Sequence, residues 1–213
     1  TPTKVTGNPV RSAFYNPSGK EECREALGLD KEVPVILVVG GSQGAQTLNR
    51  AMQEAVLNFS ANDAQFIWST GPGDLADCQA LAEKAPCTVQ VYPYIENMAQ
   101  TCGATDLLIS RAGASTTAEI AIMGKASILV PYPYATDNHQ EHNARAFEAA
   151  GAAQVLLDKN CTGESLTQQI KAIIQNPSVL ASMGKAAADL ARPAAADDIV
   201  ETILEKACTP ADY

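Results

Sequence analysis

The sequence predicts an α/β fold, a doubly wound parallel sheet of the Rossmann-like kind, and three observations lead there. Short apolar runs such as Val35 to Val39 show no alternation of polar and apolar residues, so both faces of each strand must be covered. Segments of helical periodicity separate those runs one by one, as crossover connections between parallel strands require. Two strand-to-helix junctions carry glycine, Gly40-Gly41-Ser42-Gln43-Gly44-Ala45 and Ser110-Arg111-Ala112-Gly113-Ala114-Ser115-Thr116-Thr117-Ala118-Glu119. In such sheets ligands bind beyond the carboxyl ends of the strands, where both junctions fall.

The elements follow in order. Thr1 to Arg11 reads as an extended connector, and the domain expectation is a connector over residues 1–13 followed by one domain over 14–213. Val33 to Val39 is a β-branched run and the first strand; Gly44 to Ser60 has helical apolar spacing. Gln65 to Ser69 is a second strand and Asp74 to Lys84 a second helix. Thr88 to Tyr92 and Leu107 to Ser110 read as strands around a short helix from Glu96 to Gly103. A helix from Ser115 to Met123 precedes a fifth strand, Ser127 to Val130, and a helix from Asn138 to Ala150 precedes a sixth, Ala153 to Leu157. From Thr162 the chain is helical, with helices over Gly163 to Gln175, Ser178 to Ala191 and Ala195 to Ala207 broken at Asn176-Pro177 and Arg192-Pro193.

Composition narrows the function. The 213 residues are 46% hydrophobic and 18% charged, enough for one large domain with a real core. A formal net charge of −9 argues against a grip on nucleic acid or on an anionic membrane face, both of which need clustered Lys and Arg. The apolar runs are strand-sized, far short of the roughly twenty residues of a spanning helix, so a cytoplasmic domain is expected. The six cysteines are widely spaced without a C-x-x-C pair and read as reduced thiols.

The two glycine junctions point to a diphosphate. A helix start leaves backbone N–H groups unpaired, and the helix dipole adds partial positive charge there, so an anion is the natural guest. A glycine-rich turn can also exist for close packing alone. Neither the G-x-G-x-x-G fingerprint nor a P-loop is present, and the second strand ends in Trp68-Ser69-Thr70 without the acidic residue that holds an adenosine ribose. Glu119, one turn inside the later helix, can instead accept two ribose hydroxyls, although partnering the helix dipole is the plainer role. The third constellation runs from Pro131 to Ala144. There Asp137 is expected to cap a helix whose Gln140 and Asn143 suit the hydroxyls of a sugar. His139 and His142 stand three apart, not at the four-residue spacing of the H-E-x-x-H metal motif, and no metal is expected.

Together these motifs carry a resemblance. Gly7-Asn8-Pro9-Val10-Arg11, the two glycine junctions, and Pro131-Tyr132-Pro133-Tyr134-Ala135 followed by Asn138-His139-Gln140 and Asn143-Ala144 resemble the C-terminal half of the MurG family. These are the bacterial undecaprenyl-diphospho-muramoylpentapeptide N-acetylglucosaminyltransferases. The resemblance covers nearly the whole chain and implies a GT-B arrangement, with the nucleotide-sugar donor UDP-GlcNAc held mainly by this half. It implies that Arg11 and Ser42 meet the donor diphosphate, with further N–H and hydroxyl contacts from Ala114, Ser115 and Thr116. By the same resemblance Glu119 holds the ribose, the backbone of Ile95 reads uracil, and Gln140, with His139 and Asn143, faces the GlcNAc hydroxyls. The acceptor lipid I, the general base and the membrane contact are assigned to an N-terminal domain absent from this sequence. No cofactor is implied, and the full-length enzyme is expected to be peripheral on the cytoplasmic face of the plasma membrane. Other readings of the residues are a different nucleotide-sugar transferase, a non-catalytic UDP-binding module, and a dinucleotide oxidoreductase, against which the missing ribose acid counts.

Overall fold

A computed structural model of the chain describes residues 4–41 and 44–208, with side chains described through Glu205. Its elements are α1 (Lys20–Ala26), β1 (Val35–Val39), α2 (Gln46–Ala55), β2 (Gln65–Ser69), α3 (Leu75–Ala82), β3 (Thr88–Tyr92), α4 (Met98–Ala104), β4 (Leu107–Ser110), α5 (Ala114–Met123), β5 (Ala126–Leu129), α6 (His139–Ala149), β6 (Ala153–Val155), α7 (Gly163–Ile174), α8 (Pro177–Asp189) and α9 (Ala195–Cys208). The six strands form one sheet in the order β3-β2-β1-β4-β5-β6, and every pairing is parallel. The strand order reverses between β1 and β4, which places the ligand crevice of a doubly wound sheet at their carboxyl ends.

Both faces of the sheet are buried, and β1 shows how. Ile36 and Val38 point into one core with Leu48, Met52, Leu166, Ile170 and Ile173 from α2 and α7. Val35 and Leu37 point into the other, with Cys23, Cys102, Ile120 and Phe147 from α1, α4, α5 and α6. A strand covered on both sides has no polar face to show, which is why the sequence there is uniformly apolar. The five described cysteines outside α9 are free and buried. Burial pushes the thiols of Cys102 and Cys161 up to about 12 and that of Cys87 to about 11, so they pack as small apolar groups.

The structure adds to the sequence reading in three places. The first is α1, which the periodicity did not reveal; it is anchored by a buried ion pair in which Arg24 Nη2 donates to Asp106 Oδ2 at 2.5 Å, with both side chains under 10% exposed. Asp106 also binds Lys20 and accepts from the Val35 N–H at 2.7 Å, so α1 is tied to the start of β1. Second, the stretch from Gly44 to Ser60 is not one helix: α2 ends at Ala55 and a 3-10 turn, Val56–Asn58, completes it. Third, Asp137 does not cap α6. It lies in a 3-10 turn, Thr136–Asn138, with φ of 51°, and Asn138, at φ of 52°, takes the N-cap position without a side-chain cap. The extra turn moves Asp137 one residue too far back to reach the helix N–H groups.

Candidate functional site

The two glycine junctions meet at the crevice because their strands end level. Val39 of β1 stands beside Ser110 of β4 in the sheet register, so the following residues, Gly40 and Arg111, leave it at the same height. The first junction needs its glycines. Gly44 has φ of +77°, its N–H donates to the Gly41 carbonyl at 3.0 Å, and a Cβ there would lie 2.2 Å from the Thr70 carbonyl oxygen. Buried Asn49 of α2 locks this geometry. It donates to the Thr70 carbonyl at 2.9 Å and accepts from the Trp68 indole at 3.1 Å, fixing α2 against the end of β2.

Neither α2 nor α5 has a side-chain cap at its start: the N-cap positions are Ala45 and Gly113. Among the described residues no side-chain cap therefore meets their first N–H groups, the condition in which a helix start suits an anion. Both starts open on one cleft of about 760 Å³, bordered by Gly40, Gly41, Gly44, Ala45, Gly113 and Thr116 and also by Tyr132, Pro133, Tyr134 and Gln140. Ser42, expected to meet the diphosphate, lies outside the described residues.

Glu119 sits on α5, three residues beyond the cleft residue Thr116, and borders a small separate hollow with Thr116, Ile120 and Lys125. Its carboxylate is 3.5 Å from Arg11 Nη2, and the arginine, 62% exposed, also stacks over the Phe14 ring at 5.0 Å. Burial raises the Glu119 pKa above the ordinary 4.5, and the Arg11 guanidinium pulls partly the other way. Ser115 accepts from Asn8 Nδ2 at 3.3 Å, so the segment before Ser12 lies against the start of α5. Ala114 is the first residue of that helix.

Gln140 and Asn143, on α6, both grip the loop before α5. Gln140 Oε1 accepts from the Ala112 N–H at 3.2 Å and from the Tyr132 N–H at 3.0 Å, and Asn143 Nδ2 donates to the Ala112 carbonyl at 3.0 Å. Gln140 borders the cleft with its amide NH2 still to be partnered, whereas Asn143 borders a different groove with Asn8, Ala114 and Arg192. His139 binds locally, Nδ1 to the Thr136 carbonyl at 2.8 Å, and is not a cleft wall. Ile95 is buried on the loop before α4 and borders a separate hollow of about 340 Å³ with Tyr92, Tyr94 and Asn97. The structure thus gathers Thr116 and Gln140 in the cleft, sets Arg11, Ser115 and Glu119 beside it, and leaves Ile95, His139 and Asn143 around it.

Three cleft residues carry a role that sequence reading did not give them. Arg111 Nη1 donates to Asp158 Oδ1 at 2.5 Å and to the Val130 carbonyl at 3.1 Å, with its guanidinium 5.5 Å from the Tyr132 ring centroid. Asp158 Oδ2 accepts from Thr47 Oγ1 of α2 at 3.0 Å. This cross-link joins α2 and the loops after β4, β5 and β6, so the charge of Arg111 is spent on the protein. The one signal for Asp158 in sequence was its place just past the sixth strand, on the ligand side of the sheet.

Residues 35–199 match the family model described as "Glycosyltransferase family 28 C-terminal domain". The chain belongs to this family. Among curated proteins it is 41% identical over 209 residues to a protein of Desulforudis audaxviator, covering 95% of this chain and 56% of that one. It is 39% identical to one of Desulfitobacterium hafniense over the same shares. Both bear the name UDP-N-acetylglucosamine--N-acetylmuramyl-(pentapeptide) pyrophosphoryl-undecaprenol N-acetylglucosamine transferase. The crystal structure of Acinetobacter baumannii MurG superposes with a TM-score of 0.79 at 32% identity, over 96% of this chain and 57% of that one. The family 28 chain described here thus spans a little over half the length of these relatives. Its matched region runs from the first strand into α9 and contains every cleft wall.

Proposed function

We propose that the chain is the donor-binding half of an inverting glycosyltransferase that moves GlcNAc from UDP-GlcNAc to lipid I, undecaprenyl-diphospho-MurNAc-pentapeptide, giving lipid II. The observation that carries this reading is the pair of uncapped helix starts opening on one cleft that the Gln140 amide also borders, with the Glu119 carboxylate on the same helix as Thr116. The N–H groups of α2 and α5 suit a diphosphate, Glu119 suits two ribose hydroxyls, and the Gln140 amide suits a sugar hydroxyl. The names of the relatives supply the donor and the acceptor.

In the proposed site Arg11 leaves Glu119 for the diphosphate when the donor binds. An acceptor hydroxyl attacks the anomeric carbon, the bond from that carbon to the diphosphate oxygen breaks, and UDP departs with the electron pair. Helix N-termini and Arg11 offset the charge that develops on it. The proton of the acceptor hydroxyl passes to a base in the acceptor domain. Residues 1–13 connect the two domains in this reading, and residues 14–213 form the donor domain. Ser42, Ala114, Ser115 and Thr116 serve the diphosphate, Ile95 the base, and His139 and Asn143 the surroundings of the sugar. The membrane and lipid I are met through the other domain, at the cytoplasmic face.

Calorimetric titration with UDP-GlcNAc, UDP, UDP-galactose and NAD, in buffer containing EDTA, tests the reading. UDP-GlcNAc is expected to bind tightest and without turnover of a lipid I analogue. Preference for NAD, or UDP binding only after a divalent ion is restored, rejects it.

A further inference from the structure

The cleft that the glycine junctions border is also lined by two tyrosines, and the outer ring does not serve the core. Tyr134 is 83% exposed and Tyr132 43%. The two rings pack edge to face, with centroids 5.7 Å apart at 72°. Exposed as they are, they sit on a braced loop. Pro131 and Pro133 restrict its backbone, the Tyr132 N–H is held by Gln140 Oε1, and the Arg111 guanidinium, itself held by Asp158, lies over the Tyr132 ring. A solvent-facing aromatic adds little to folding. A rigid one at the mouth of a cleft meets a ligand without paying to be ordered.

The chemistry of the cleft lining says which ligand. The glycine side presents backbone N–H groups for an anion, while the tyrosine side offers an apolar face with the Gln140 amide beside it. A group that fits both is anionic at one end and, at the other, a ring with hydroxyls on its edge and C–H bonds on its face. That is a pyranose joined to a diphosphate. The electron-rich faces of aromatic rings attract polarised hydrogens, and the contact excludes water from the sugar's apolar side.

We propose that Tyr132 and Tyr134 form an aromatic platform for the C–H face of the pyranose on a nucleotide-sugar donor. Tyr134 then distinguishes the sugar-bearing donor from the bare nucleotide. The platform rests on the donor-binding reading above and adds to it two residues which that reading did not use.

Calorimetry on the wild-type chain and on the Tyr134→Ala, Tyr134→Phe and Tyr134→Trp variants, each titrated with UDP and with UDP-GlcNAc, tests it. Tyr134→Ala is expected to weaken UDP-GlcNAc about fivefold to tenfold while UDP stays within about twofold. Tyr134→Phe and Tyr134→Trp keep near wild-type affinity, because the ring and not the hydroxyl makes the contact. The melting temperature should not move, since the residue is exposed. If wild type prefers UDP-GlcNAc to UDP and Tyr134→Ala keeps that margin, the platform is wrong and the donor reading stands. Equal losses for both ligands in Tyr134→Ala, or a Phe variant as weak as Ala, also overturn it. If wild type gains nothing from the sugar, the donor reading fails and takes the platform with it.

Discussion

Glu119 illustrates how a single carboxylate can be set up for a ligand. Burial lifts its pKa above 4.5, and Arg11, 3.5 Å away, only partly opposes the lift. Between 4.5 and that raised value the folded chain holds more protons than the unfolded one, so stability falls as pH rises through the window. The Glu119→Gln variant should lose this part of the slope in urea unfolding followed against pH. Ribose hydroxyls favour the ionised form, so UDP affinity should decline as pH is lowered through the same window in wild type. It should not do so in Glu119→Gln, and identical profiles would remove Glu119 from the site. At neutral pH, Glu119→Ala should cost about 1–3 kcal/mol of UDP affinity. Glu119 was legible in the sequence because its position relative to a helix start is a local matter. The place of Arg111 was not. Its charge lies in a glycine-bearing junction, yet it is spent on Asp158, whose distance along the chain hides the contact.

The central strands and α2 were legible as elements because each buries an apolar face, and burial writes periodicity into sequence. The shortfalls occurred where polar contacts decide. Helix α1 shows few apolar residues and is held by Arg24 and Lys20 on Asp106, an ion pair no periodicity records. The turn before α6 relies on two successive residues, Asp137 and Asn138, in the left-handed region, where Asp and Asn are tolerated best. The two glycine junctions differ in kind, and substitution separates them. Gly44→Ala forces a side chain onto φ of +77° and against the Thr70 carbonyl, and should cost about 1–3 kcal/mol or more in urea unfolding. Gly113 has φ of −66° and open space where a Cβ would go. Gly113→Ala should therefore keep stability within about 0.5 kcal/mol, so any UDP affinity it loses reports how close the ligand comes. Equal destabilisation by the two would show that the junctions are built alike.

At the scale of the molecule, the cleft draws on α2, α5, α6 and the loops after β1, β4, β5 and β6, so a ligand there ties together both sides of the strand reversal. Binding should then stabilise the whole domain. UDP at about 100 times its dissociation constant adds about 2.7 kcal/mol, or about 5–10 °C of melting temperature for a domain of this size. NAD at the same concentration should leave the transition in place, and an equal shift would point to a general nucleotide site. The doubly wound architecture was readable from the alternation of elements alone; which strands adjoin at the reversal became visible only in the assembled sheet. The Arg111–Asp158 pair bears finally on how a nucleotide would leave the proposed site. Among the described residues bordering the cleft, Arg111 is the one cation, and Asp158 already neutralises it. A spent nucleoside diphosphate in the proposed site is therefore gripped by neutral N–H dipoles and by a solvent-facing Arg11, whose pull salt can screen. In that proposed site no buried ion pair would have to be torn apart for a nucleoside diphosphate to leave.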